Sequence, residues 1–163
     1  MANKYPETVI SHWSTLIEGL DASPLAFFEY VEVAANHRAI PEIEISRMDY
    51  HEGGIFSAKR EYLRIRQGKF LFDICASPYG TGFFVSWWLG RNLPFLLSIP
   101  IIGAIYGRFL KPNTYYTLDS ADMFQTATHL AVLQAVDGLT ATKGLRTLSE
   151  SERRPTMRAA LAR

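Results

Sequence analysis

Cysteine is nearly missing from this chain: Cys75 stands alone among 163 residues. A lone thiol excludes an internal disulfide framework and any zinc site built from paired thiolates, and points to a reducing compartment. Net charge is nearly missing too. With 17 Lys and Arg against 16 Asp and Glu, the balance is +1. There is no global basic field of the kind that draws a protein to phosphate backbones, so nucleic acid is not expected as a partner. The opening residues, MANKYPETVISHW, lack the basic and apolar regions of a secretory signal peptide. Any membrane contact is therefore expected to use an internal segment.

The common catalytic signatures are absent as well. His51 opens "HEGG", but no second histidine follows four residues later, so the zinc-protease motif is not met. Neither "GTGFF" nor "YHEGG" has the spacing of a phosphate-binding loop. No repeat and no low-complexity tract is present. No metal and no cofactor is expected. A catalytic Cys75 would need His12, His37, His51 or His129 brought beside it by the fold, and small buried thiols are the commoner case.

Hydrophobic residues make up 48% of the chain and charged residues 20%, a mixture that buries a core and does not stay disordered. The length suits one domain, arranged as four consecutive regions: a helical region over 1–40, a β-hairpin region over 41–82, a hydrophobic candidate membrane segment over 83–111, and a C-terminal helix with a basic tail over 112–163. The fold class expected is α+β, with two N-terminal helices, a small antiparallel sheet, an aromatic-flanked hydrophobic segment and a C-terminal helix.

Tyr5, Val9, Ile10, Trp13, Leu16, Ile17 and Leu20 recur at spacings of three and four, which predicts the first helix. The second should follow "DASP", where Ser23 can cap and Pro24 can take the first helical position. Its apolar face would be Leu25, Phe27, Phe28, Val31 and Ala35. "PEIEISRMDY" alternates like a strand, with a slip near Arg47 and Met48 that suggests a bulge. "REYLRIRQGKFLFDICA" then reads as a hairpin. A turn at Gln67 and Gly68 puts Arg66 opposite Lys69, Arg64 opposite Leu71 and Tyr62 opposite Asp73. That register gathers Ile65, Phe70, Leu63, Phe72 and Ile74 on one side.

The other side collects Lys59, Arg60, Arg64, Arg66 and Lys69 around Tyr62, a combination suited to anionic lipid headgroups or to nucleic-acid phosphates. Its bland reading is a solvated sheet face that discourages aggregation.

From Phe83 the chain turns aromatic and then apolar. Leu93–Leu110 would measure about 27 Å as a helix, near the thickness of a bilayer core. Trp87, Trp88 and Arg91 on one flank, with Tyr106, Arg108 and Lys111 on the other, resemble membrane-interface anchors. Gly103 and Gly107 would allow close helix packing in lipid. The uninterrupted apolar part, Leu93–Tyr106, is short for a span, and its length suits a buried core helix or an interfacial segment more readily. A membrane location with a cytoplasmic N-terminal region is the expectation.

A final helix should begin near Asp119 or Ser120 and stop near Gly138. Beyond it, Ser149 and Glu152 have capping-box spacing, and Arg153, Arg154, Arg158 and Arg163 make the tail basic. Function is expected to be non-enzymatic: a self-associating, membrane-associated binding or scaffold protein that meets membrane lipid and a protein partner. The alternative is a soluble interaction module or small-ligand carrier whose aromatic segment forms a pocket or an oligomer interface. A hydrolase built on Asp122, Gln125 and His129, at helical spacing, is a third reading.

Overall fold

A computed structural model describes residues 8–51, 59–92 and 114–157. Its elements run β1 (Thr8–Glu18), α1 (Pro24–His37), β2 (Ile43–His51), β3 (Lys59–Gln67), β4 (Phe70–Tyr79), β5 (Gly82–Arg91), α2 (Tyr115–Thr142) and β6 (Thr156–Met157). The strands form one antiparallel sheet in the order β2-β3-β4-β5-β1-β6, the last being only a two-residue edge piece. Four reversals separate β1 from β2, so these two strands point the same way at opposite sides of the sheet. Such a pair needs a crossover, and α1 supplies it by lying across one face.

The first strand corrects the first expected helix. Thr8, Val9, Ile10, Thr15 and Ile17 are β-branched, and their side chains lose less freedom on a pleat than against a helical turn. Ser11, Trp13 and Ile17 point into the core, whereas Leu16, which a helical stripe would bury, is 41% exposed. A bulge between Val9 and Ser11 shifts the register against β5. The irregularity thus falls in β1, while β2 pairs with β3 without a slip.

Only one of the two expected N-terminal helices therefore exists. α1 starts as its sequence implies, with Ser23 as N-cap residue in extended conformation and Pro24 in the first turn. Phe27, Phe28, Val31, Ala34 and Ala35 are buried, while Leu25 faces outward. Arg47 of β2 stacks over Phe28 at 4.7 Å and pairs with Glu32 at 2.6 Å, fastening the helix to the sheet edge.

The β3–β4 hairpin forms, with its turn one residue later than read from sequence. Gly68 and Lys69 are the turn residues, and Gln67 pairs with Phe70. Gly68 alone of the two has positive φ, at 55°, a conformation glycine adopts without a Cβ clash. Every partner moves by two positions, which preserves the faces: Ile65 meets Phe72, Leu63 meets Ile74, Arg64 meets Asp73 and Tyr62 meets Cys75.

The membrane-segment expectation is overturned where it can be checked. Gly82–Arg91 is a strand near the middle of the sheet, paired with β4 on one side and β1 on the other. Trp87 and Trp88 therefore alternate between sheet faces, and they and Arg91 belong to a strand. The aromatic run over 83–88 is thus part of a sheet strand, and 93–110 lies outside the described residues. Among the described residues no helix is long and apolar enough to cross a membrane. Gly103, Tyr106, Gly107, Arg108 and Lys111 lie outside the described residues.

Both described helices back the same face of the sheet. Trp87 stacks on Phe72 at 4.6 Å, Phe124 of α2 reaches Phe72 at 6.2 Å, and Phe27 of α1 meets Phe83 at 5.9 Å. Each such fully buried side chain contributes on the order of 1.5–3 kcal/mol. Helix α2 begins at Thr114, whose hydroxyl accepts from the Thr117 N–H, and runs past Gly138 to Thr142. Gly82 lets β1 come close, because a Cβ there would lie 2.8 Å from the Ile17 carbonyl oxygen.

Candidate functional site

The sheet face opposite the helices carries the candidate site. Cross-strand pairing places Ser46, Arg64, Asp73, Trp88 and His12 in one row, and Met48, Tyr62, Cys75, Ser86 and Ser14 in the next. A third row holds Tyr50 beside Arg60, and Ser77, Phe84 and Leu16. The middle row dips across β5 and β1, because Ser86 and Ser14 are small while Phe84, Trp88, His12 and Leu16, their neighbours along those strands, are not. This row forms a narrow trough between Trp88 and His12 on one side and Phe84 and Leu16 on the other, with Tyr62 at its β3 end; Cys75 and Ser86 are buried in it, at 1% and 5% exposed, and Ser14 is exposed. Three strands make its floor about 10 Å across, and four residues of β5 separate its walls by about 13 Å.

The wall residues are themselves braced. Trp88 and His12 stack at 4.7 Å with planes 13° apart. Arg64 forks onto Asp73, with both nitrogen–oxygen distances at 2.7 Å, and Tyr50 donates its hydroxyl to the same carboxylate at 2.8 Å. Arg64 also hydrogen-bonds the Tyr50 oxygen. With Arg64 only 7% and Asp73 only 4% exposed, the pair is stable because each charge is matched and its hydrogen bonds are made. Burial pulls the Arg64 guanidinium down, but Asp73 outweighs it and the net direction is up.

Floor chemistry is quiet. Burial pushes the Cys75 thiol up, with Arg60 and Tyr62 pulling the other way, so the sulfur keeps its proton and is a poor nucleophile. Burial also raises the Tyr62 hydroxyl, aided by Cys75 and opposed by Arg60. His12 lies two strands from Cys75, and His129 belongs to the other face. No cysteine–histidine couple forms among these residues.

Nor does the fold assemble a hydrolytic site on α2. Asp122 is exposed, Gln125 accepts from the buried Ser11 hydroxyl, and His129 spends both ring nitrogens inside the protein. Trp87 Nε1 donates to His129 Nδ1 at 2.9 Å, and His129 Nε2 lies 2.6 Å from the Arg153 carbonyl oxygen. Among the described residues no group of His, Cys, Asp and Glu could hold a metal ion.

The six residues of the basic patch are dispersed. Arg64 is buried against Asp73, Arg66 reaches Glu44 at 3.4 Å and the Gly68 carbonyl at 3.1 Å, and Lys69 sits over the Phe70 ring at 5.4 Å. Arg60 and Tyr62 stay at the trough, and the Lys59 side chain lies outside the described residues. Sequence reasoning missed Asp73, Cys75, Ser86, Ser14, His12 and Phe84 as parts of one surface. The alternation Ser14, His12 in β1 against Ser86, Trp88 in β5 was the available signal, hidden by reading β1 as a helix. Comparison of the chain with protein-family models, curated proteins and solved structures finds no match.

Proposed function

We propose that the protein is a non-enzymatic carrier of a small amphipathic molecule, bound in the trough on the side of the sheet opposite the two described helices. The carrying observation is the row Cys75–Ser86–Ser14, small side chains set between the Trp88–His12 wall and the Phe84–Leu16 wall. Aromatic walls over a floor with a few hydroxyls suit a flat, largely apolar ligand oriented by a small number of polar contacts. The protonated Cys75 and the internally engaged His129 favour binding over turnover. Naphthalene-2-carboxamide is a fitting probe, read by calorimetry and by quenching of tryptophan emission. The Ser86→Leu variant fills the trough and should lose the probe while keeping its fold by circular dichroism. Equal binding by parent and variant would remove this reading.

A second reading, contact between copies of the chain, draws on the exposed Tyr30, Val33, Met123 and Leu130 of the helical layer. Sedimentation velocity decides it: a single monomer boundary at high micromolar concentration would dismiss self-association.

A further inference from the structure

We infer that two copies of the chain pair antiparallel through α2, with Met123 on the two-fold axis, an inference that rests on contact between copies through the helical layer. Tyr116, Met123 and Leu130 are 82%, 70% and 42% exposed. Consecutive members stand seven residues apart in sequence, close to two helical turns, so the three form one stripe about 21 Å long. The exposed Asp119 and Thr126 lie within the same stripe, each three residues after one member and four before the next. An outward apolar row of this kind on a 28-residue helix is a seam for a second helix, and Tyr, Met and Arg are the residue types that interfaces favour.

Charge decides which helix that is. α2 carries Asp119, Asp122 and Asp137 and neither Lys nor Arg. Asp137 is taken by Arg153. The exposed Asp119 and Asp122, which form no ion pair among the described residues, make the N-terminal half of the stripe acidic. The other half holds a cation supplied from beyond the C-terminus of α1: the exposed Arg38 donates through Nη2 to the Leu130 carbonyl at 3.3 Å and to Gln134 Oε1 at 3.2 Å, and forms no ion pair among the described residues. A cationic partner helix would suit the two aspartates and meet Arg38 with like charge, and an acidic one would do the reverse. A second copy turned end for end matches both halves at once. Centred on Met123, that pairing sets Tyr116 of each copy against Leu130 of the other, and Asp119 against the half that holds Arg38. Parallel pairing would instead oppose each aspartate to its own copy and align the helix dipoles unfavourably.

The test is thiol cross-linking with sedimentation velocity on the full chain, whose one cysteine, Cys75, is 1% exposed and does not compete. Met123→Cys should give a disulfide-linked dimer under mild oxidation, because the axis brings the two copies of this position together. Tyr116→Cys alone should not, since its two copies would lie about 21 Å apart along the pair, against the roughly 7 Å that a disulfide can span. Mixed with Leu130→Cys, it should cross-link. Met123→Glu should weaken the dimer about tenfold or more by placing unpaired charge at the centre of the contact, with circular dichroism unchanged because the side chain is exposed in the single chain. If the parent sediments as a monomer at high micromolar concentration, self-association and this pairing fall together. If it dimerises but Tyr116→Cys cross-links to itself, or the dimer survives Met123→Glu, self-association stands and the antiparallel pairing through α2 is overturned.

Discussion

The indole N–H of Trp87 and the ring of His129 meet at 2.9 Å, with His129 Nδ1 as acceptor and its Nε2 proton turned to the Arg153 carbonyl. A carbonyl can only accept and an indole N–H can only donate, so the imidazole is held neutral in a single tautomer. This one side chain joins the central strand, the long helix and the C-terminal segment. The segment is fastened elsewhere as well: Trp13 Nε1 donates to the Glu152 carbonyl at 2.6 Å, and Arg153 forks onto Asp137 at 2.6 and 3.0 Å.

Protonation of His129 should loosen the protein. Burial pushes this imidazole below its ordinary value, with the Arg153 carbonyl opposing and its guanidinium reinforcing the shift. The unfolded chain therefore binds this proton more readily than the folded one. The contribution to stability is complete above the ordinary histidine pKa of about 6.5 and falls as pH drops below it. Urea midpoints at pH 7.5 and 5.5 should differ more for the parent than for His129→Gln. Identical differences would assign the pH dependence to other groups.

Removing one member of the buried ion pair should cost far more than removing both. Asp73→Ala leaves the Arg64 guanidinium buried without its carboxylate, a loss of about 3–5 kcal/mol. The double variant Arg64→Met, Asp73→Leu restores volume without stranding a charge and should recover most of that stability. Additive losses in chemical denaturation would show that the network does not act as a unit.

Trp13→Phe keeps the buried ring but strands the Glu152 carbonyl. A lost hydrogen bond to a partly buried acceptor is worth about 1–3 kcal/mol. Amide exchange should quicken mainly in residues 146–157 and in the β1 amides near Ser11 and His12, where the two-residue β6 pairs. Uniform acceleration over the whole sheet would contradict a local strap.

The legible parts of this fold were those governed by neighbours in sequence. Ser23 and Pro24 announce α1, and the alternation around Gly68 sorts the faces of β3 and β4 even with the turn one residue misplaced, because a two-position shift of partners preserves parity. The pairing of Arg64 with Asp73 is lost by that same shift, and with it the clue that the basic face is internally neutralised. Leu16 and Ile17 fit a helical stripe and a strand equally, so β1 is decided by its pairing with β5, a contact more than sixty residues away in the chain. Both Trp87 and Trp88 are hydrophobic, so nothing local separates a central sheet strand from a membrane flank. The trough is assembled in cross-strand register from β3, β4, β5 and β1. It becomes visible only once the strand order is known.

The most direct measurement is calorimetric titration of naphthalene-2-carboxamide into the parent protein and into Ser86→Leu. Saturable binding at one site in the parent, abolished in the variant with its circular dichroism unchanged, is the expected result. Binding that is indifferent to Ser86→Leu, or absent from the parent, would contradict the trough as the functional surface.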